Sequence, residues 1–130
     1  MTRSLHILGL CRKAGKLEVG EAPAHIAVKA GICRVLIIAG DASAGTASRS
    51  RYLCEVNACA AVTIPADKKT LGALVGRESV ALAAITDPGL AASFLRAAES
   101  EGVGPFPELL EKLDAQRDRK PKKPNRRKRR

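Results

Sequence analysis

Three short apolar runs limit what this chain can fold into more than any other feature: Val35-Leu36-Ile37-Ile38-Ala39, Ala61-Val62-Thr63-Ile64 and residues 80–85. Turn formers bound them, Gly40-Asp41-Ala42-Ser43 after the first, Pro65 after the second and Asp87-Pro88 after the third. Runs of four to six residues without polar alternation read as strands buried on both faces. Such strands need helices above and below them, and the segments between the runs have room for helices.

Those segments carry helix punctuation. Ser4 is placed to cap a first helix over about residues 5–14, with Leu5, Leu8 and Cys11 on one face and Gly15 ending it. A short extended piece, residues 17–19, follows. Gly20-Glu21-Ala22-Pro23 opens a second helix that runs to Ala30 and stops at Gly31, with Pro23 in the first turn where its missing N–H costs nothing. A third helix is expected over about residues 46–57. A fourth runs from the Asp67 cap through Leu74 and closes at Gly76, and a fifth runs from Asp87-Pro88 to about Ala98. Helices alternating with buried strands predict an α/β fold, a three-layer α/β/α sandwich around a four-stranded mixed sheet.

The length of 130 residues suits one domain. Aromatics are 2% of the chain (Tyr52, Phe94 and Phe106), so Ala, Val, Leu and Ile must fill the core. The expected division is a folded domain over 1–101, then a linker over 102–113 holding a short helix from Pro107 with Leu109, Leu110 and Leu113 as its apolar face. A basic, disordered tail over 114–130 would follow. Residues 114–130 hold 10 Lys/Arg and 2 Asp/Glu, so most of the net charge of +10 lies there. Such a segment cannot bury a core, and its cations would displace counterions from a phosphate backbone.

The search for catalytic chemistry is negative. The chain has no dinucleotide-binding Gly-x-Gly-x-x-Gly, no phosphate-binding P-loop and no Gly-x-Ser-x-Gly elbow. His6 and His25 have no nucleophile beside them in sequence, and Asp41 and Asp87, each just past a strand, read as turn or cap residues. Cys11, Cys33, Cys54 and Cys59 form no Cys-x-x-Cys pair, so zinc is not expected. They read as small buried hydrophobes in a reducing compartment, with a Cys54–Cys59 disulfide left open by the spacing. The N-terminus lacks a secretory core, and no apolar run is long enough to cross a bilayer. The expectation is a cytoplasmic, monomeric, non-catalytic protein without metal or cofactor.

Two glycine-marked places offer binding chemistry instead. Gly20 lets a backbone come close to the start of the second helix, where free N–H groups and a positive dipole end attract phosphate. The segment Leu71-Gly72-Ala73-Leu74-Val75-Gly76-Arg77-Glu78-Ser79 puts a flexible turn after a helix. Brought to one end of the sheet, the two would form a cleft edged by Arg12, Lys13, Lys16, Lys29 and Arg77, suited to phosphates and unstacked bases.

At this level of detail the chain resembles a known family. The motifs are Leu8-Gly9-Leu10-Cys11-Arg12-Lys13-Ala14-Gly15-Lys16-Leu17, Gly20-Glu21 leading to Lys29-Ala30-Gly31, and residues 35–39 with Asp41-Ala42-Ser43. Leu71-Gly72 with Gly76-Arg77-Glu78, and Ala84-Ile85-Thr86-Asp87-Pro88-Gly89-Leu90-Ala91, extend the match. Over roughly residues 3–98 they resemble a YlxQ-like bacterial branch of the L7Ae/L30e ribosomal proteins. The resemblance implies binding of kink-turn or similarly bent RNA, on the ribosome. The second helix would enter the major groove through Gly20, Glu21, Ala22, Pro23 and Ile26, and the loop of Arg77, Glu78 and Ser79 would cover an extruded nucleotide. Where the family writes Gly-x-Asn-Glu-x-x-Lys, this chain writes Gly20-Glu21-Ala22-Pro23-Ala24-His25-Ile26. That apolar helix start suits a second reading, a ribosome- or protein-docking module with a degenerated RNA face. An RNA-methyltransferase reading would require a cofactor domain for which the chain has no room.

Overall fold

The computed structural model describes residues 1–119. In chain order it contains α1 (Arg3–Lys13), β1 (Leu17–Val19), α2 (Glu21–Lys29), β2 (Val35–Ile38), α3 (Ala44–Val56), β3 (Ala61–Thr63), α4 (Lys68–Leu74), β4 (Leu82–Ile85), α5 (Pro88–Ser100) and α6 (Pro107–Asp118). The strands form one mixed sheet in the order β1-β4-β2-β3, with β2 and β3 parallel and β4 antiparallel to both β1 and β2.

The apolar runs supply both faces of the central strands. Val35 and Ile37, with Val62 and Ile85, join Leu8 and Cys11 of α1, Leu71 of α4, Phe94 and Leu95 of α5 and Leu113 of α6 in one core layer. Leu36 and Ile38, with Leu82 and Ala84, meet Ala24, Ala27 and Val28 of α2 and Cys54 of α3 in the other. The result is a three-layer sandwich with α2 and α3 on one face and α1, α4, α5 and α6 on the other.

The helix starts show where local signals prevailed and where they lost. Asp67 and Asp87 cap α4 and α5, accepting from the N–H groups of Thr70 and Leu90. Asp41 accepts from the N–H of Lys68 at 2.8 Å and ties the turn after β2 to the start of α4. Ser43 accepts from the Thr46 N–H, so α3 begins at Ala44, earlier than its apolar spacing suggests. Ser4 is not the cap of α1. It is fully buried, and its hydroxyl donates to Glu101 Oε1 at 2.6 Å. Glu101 also accepts from the Arg3 N–H at 2.8 Å, so a carboxylate from the far end of α5 serves the exposed donors of α1.

The segment expected to be linker and tail is partly folded against the domain. The helix continues to Asp118 rather than ending near Leu113. Leu113 is buried to 1% exposure, and Phe106, Leu109 and Leu110 lie against the same core. Asp114 pairs with Arg96 of α5, and the Phe106 N–H donates to Glu99 Oε2 at 2.6 Å. Once the apolar face of α6 has docked, the next turn adds helical hydrogen bonds at little further entropic cost. Of the expected tail, residues 120–130 lie outside the described residues. All four cysteines are free, so the disulfide left open at Cys54 and Cys59 is not formed. Burial, with Asp87 nearby, pushes the Cys11 thiol up to about 11.

Candidate functional site

The register of the sheet decides which groups meet. Gly20 follows β1 and its N–H donates to Leu82 O at 2.9 Å, at the start of β4. The loop after α4 leads into the same end of β4, so the two glycine-marked segments converge.

Gly20 adopts φ 101° and ψ 163°, a region that side chains exclude, and it stands as N-cap of α2 with no side-chain capping bond. The first N–H groups of α2, from Glu21 and Ala22, have no partner within the helix. Pro23 has no N–H to offer, so the donor set here is small. A Cβ on Gly20 would come within 3.4 Å of Arg77 Nη1, which measures how closely the Arg77 guanidinium lies over the helix start.

A second glycine places that arginine. The N–H groups of Val75 and Arg77 both donate to Gly72 O, at 3.0 and 2.8 Å, and Gly76 turns the chain with φ +71°. The loop then crosses directly over α4. A Cβ on Gly72 would meet Arg77 O at 2.6 Å and Ser79 N at 2.8 Å. Val80 N–H closes the loop on Lys68 O at 2.9 Å. Arg77, Glu78 and Ser79 are left exposed beside the start of α2.

Glu21, Ala22, Pro23 and Ile26 also lie on solvent-exposed surface of α2. Glu21 is engaged sideways, pairing with Arg49 of α3 at 3.2 Å. His25 Nε2 and Ser50 Oγ, 2.9 Å apart, make the second tie between these helices. Ala22, Pro23 and Ile26 border a shallow hollow of about 300 Å³ with Glu18 and Ile32. Ile26 is 66% exposed, so the helix start has an apolar flank as well as backbone donors. Arg49 escapes a linear reading because it comes near Glu21 only through the packing of α2 on α3. The charges at this end largely cancel: beyond that pair, Asp41, Asp67 and Glu78 accompany Lys68, Lys69 and Arg77.

Lys16 and Lys29 do not belong to this cleft. Lys16 precedes β1, and its carbonyl accepts from the Thr86 N–H beyond the far end of β4. Lys29 closes the nine-residue α2, whose other end is at Gly20, a helix of roughly 13 Å at 1.5 Å per residue. Arg12 and Lys13 sit in the last turn of α1, next to the Gly15 turn that leads to Lys16. All four stand at the opposite end of the sheet, because an antiparallel β1–β4 pair separates its two termini by the length of the strand.

Among the described residues no group of three His, Cys, Asp or Glu could hold a metal ion, and no helix is long and apolar enough to cross a membrane. Backbone donors, the Arg77 guanidinium, a hydroxyl and an apolar flank thus meet at one edge of the sandwich. The chain belongs to the ribosomal protein L7Ae/L30e/S12e/Gadd45 family, whose model matches residues 4–95. Its fold is similar to that of a protein with unknown function from Bacillus halodurans C. The TM-score is 0.70 at 21% identity, over 76% of this chain and 99% of that one. It is also similar to a Giardia lamblia 15.5kD RNA binding protein, with a TM-score of 0.62 and 20% identity over 74% of this chain and 84% of that one. No curated protein matches the sequence.

Proposed function

We propose that this protein is a non-catalytic RNA-binding module that recognises structured RNA, a kink-turn or similarly bent segment, as a YlxQ-like bacterial member of its family acting in the cytoplasm on ribosomal RNA. The observation that carries this reading is the junction of Gly20 and Arg77. A glycine-capped helix start and a glycine-placed loop meet closely enough that a Gly20 Cβ would lie 3.4 Å from the Arg77 guanidinium. Backbone N–H groups at a helix start favour a phosphate, and a guanidinium can bridge to the next phosphate or stack on an unpaired base. Membership of a ribosomal protein family supports the reading, as does the likeness to a structure described as an RNA-binding protein.

On this reading the chain acts as a monomer, without catalysis or a cofactor. The test is a competition between a bent RNA containing sheared G·A pairs and an unstructured strand of equal length. The protein should prefer the bent RNA, and Arg77→Gln should reduce that preference selectively. Equal binding of the two RNAs by the unaltered protein would defeat the proposal.

The apolar flank of α2 favours a second reading, docking on a ribosomal or partner protein through Ala22, Pro23 and Ile26. In that case the chain would associate with ribosomes at high salt without binding naked RNA, and Ile26→Asp would abolish that association.

A further inference from the structure

The domain's free cationic character is concentrated at the end of the sheet opposite Gly20. Lys13 and Lys29 close α1 and α2 there. Lys16 and Arg34 stand at that end of β4, where the Lys16 carbonyl accepts from Thr86 N–H and the Arg34 N–H donates to Ile85 O. The Lys112 ammonium donates to Ala58 O, just before β3, at 3.4 Å. Arg119 follows α6, whose Arg117 lies against Gly89 at the start of α5.

Much of the negative charge nearby is already engaged. Asp87 caps α5, and Asp114 is shared between Arg96 and Arg117. Asp118 pairs with Arg117 at 3.3 Å, and with Glu55 also counted against the cations this end is net positive. Lys13 and Lys29 have an ordinary place at helix C-termini, where cations are favourable. Lys16, Arg34 and Lys112 lie outside those last turns, so the helix dipoles do not explain them.

A hollow of about 200 Å³ opens here, bounded by Gly31, Arg34, Cys59, Lys112 and Gln116. Among the described residues, one donor, Arg34 Nε, and two acceptors of α6, Asp114 Oδ1 and Gln116 Oε1, are buried without a hydrogen-bond partner; of these, the donor is what bears on an anion. An unsatisfied guanidinium N–H beside a cavity, with an ammonium on the rim, is a donor set that an anionic oxygen would complete.

From these observations we infer that this second end binds the phosphodiester backbone of RNA, with Arg34 and Lys112 seating a phosphate in the hollow and Lys16 and Lys29 flanking it. The inference takes RNA as the partner from the proposed function but does not depend on Gly20 and Arg77 as the readers of shape. The two ends then divide the labour: the charge-balanced glycine end selects and the basic end supplies affinity that falls with salt.

The test uses the full-length chain, an oligouridylate strand and the bent RNA, each titrated over a range of salt. Lys16→Gln combined with Lys112→Gln removes two exposed cations from the basic end. Arg3→Gln combined with Arg51→Gln removes the same charge from the start of α1 and the middle of α3 and serves as the control. The first pair should weaken both RNAs roughly three- to tenfold near physiological salt and reduce the log–log salt slope by about 1.4, at about 0.7 per single-strand phosphate lost. The bent-to-unstructured ratio should stay unchanged, and the control pair should do markedly less. Thermal melts of both double variants verify that the fold is intact. If the two pairs weaken binding equally, or the first pair leaves the slope untouched, the basic end is not a phosphate site, while a preference for bent RNA would leave the proposed function standing. If the unaltered chain shows no preference but the first pair still weakens binding, the proposed function fails and this inference holds. An unaltered chain that binds neither RNA overturns both.

Discussion

Single atoms set the geometry of the glycine end. Gly20→Ala puts a Cβ on a residue at φ 101° and ψ 163°, a conformation that costs a non-glycine residue about 1–3 kcal/mol. The loss should appear as a lower urea midpoint, with a selective loss of affinity for bent RNA. Gly72→Ala tests the same edge from the other side. Its Cβ would meet Arg77 O at 2.6 Å, and relieving an overpacked contact of this kind costs about 1–3 kcal/mol. The Arg77 loop must lift, so bent-RNA preference should drop although no RNA-facing side chain has changed. If preference survives Gly72→Ala, the loop is not part of the reader. At the start of α1, hydrogen bonds from Ser4, first from its hydroxyl, hold the Glu101 carboxyl below its ordinary value of 4.5. A lowered folded-state pKa gives stability that is present above the unfolded value and is lost as pH falls through the folded one. Thermal melts from neutral to acidic pH should show that loss in the unaltered protein, and Glu101→Gln should remove that component of the pH dependence.

At the scale of elements, α6 is the piece whose role changes most between sequence and structure. Its composition is polar enough to pass for a linker, yet Leu113 is 1% exposed against α5. Leu113→Ala should destabilise the whole domain by about 2–5 kcal/mol, read by urea denaturation. If α6 were a detached segment, the substitution would leave the midpoint unmoved. The buried strands were legible because residues 35–39 and 80–85 carry no polar alternation, and Asp67 and Asp87 announced α4 and α5 by capping chemistry. The convergence of Gly20 and Arg77 was legible as a condition on their both reaching one end of the sheet. What stayed hidden depends on contacts distant in sequence. Ser4 resembles a cap until Glu101, 97 residues away, turns it inward. Arg49 becomes part of the site through the packing of α2 on α3. Lys16 and Lys29 flank the glycine motif in sequence, but a three-residue strand and a nine-residue helix carry them to the other end.

Across the described residues, the glycine-marked edge proposed to read shape and the larger share of the net charge occupy different ends, and the sequence beyond them is more basic still. Residues 120–130 carry eight Lys/Arg and no acid, and in sequence they follow Arg119, the residue that closes α6. Deleting them should therefore act as removal of a salt-dependent affinity term. Were each cation to meet a phosphate of a single strand, the slope of log affinity against log salt would fall by roughly 6, at about 0.7 per phosphate. A smaller drop counts the contacts actually made. Because the deletion leaves Gly20, Gly72 and Arg77 untouched, it should weaken bent and unstructured RNA by the same factor and leave their ratio intact. Combining it with Arg77→Gln should multiply the two effects, since sites that share no partner act additively in free energy. A deletion that erased the preference for bent RNA would place the reader of shape in the basic segment and leave the glycine edge as scaffold.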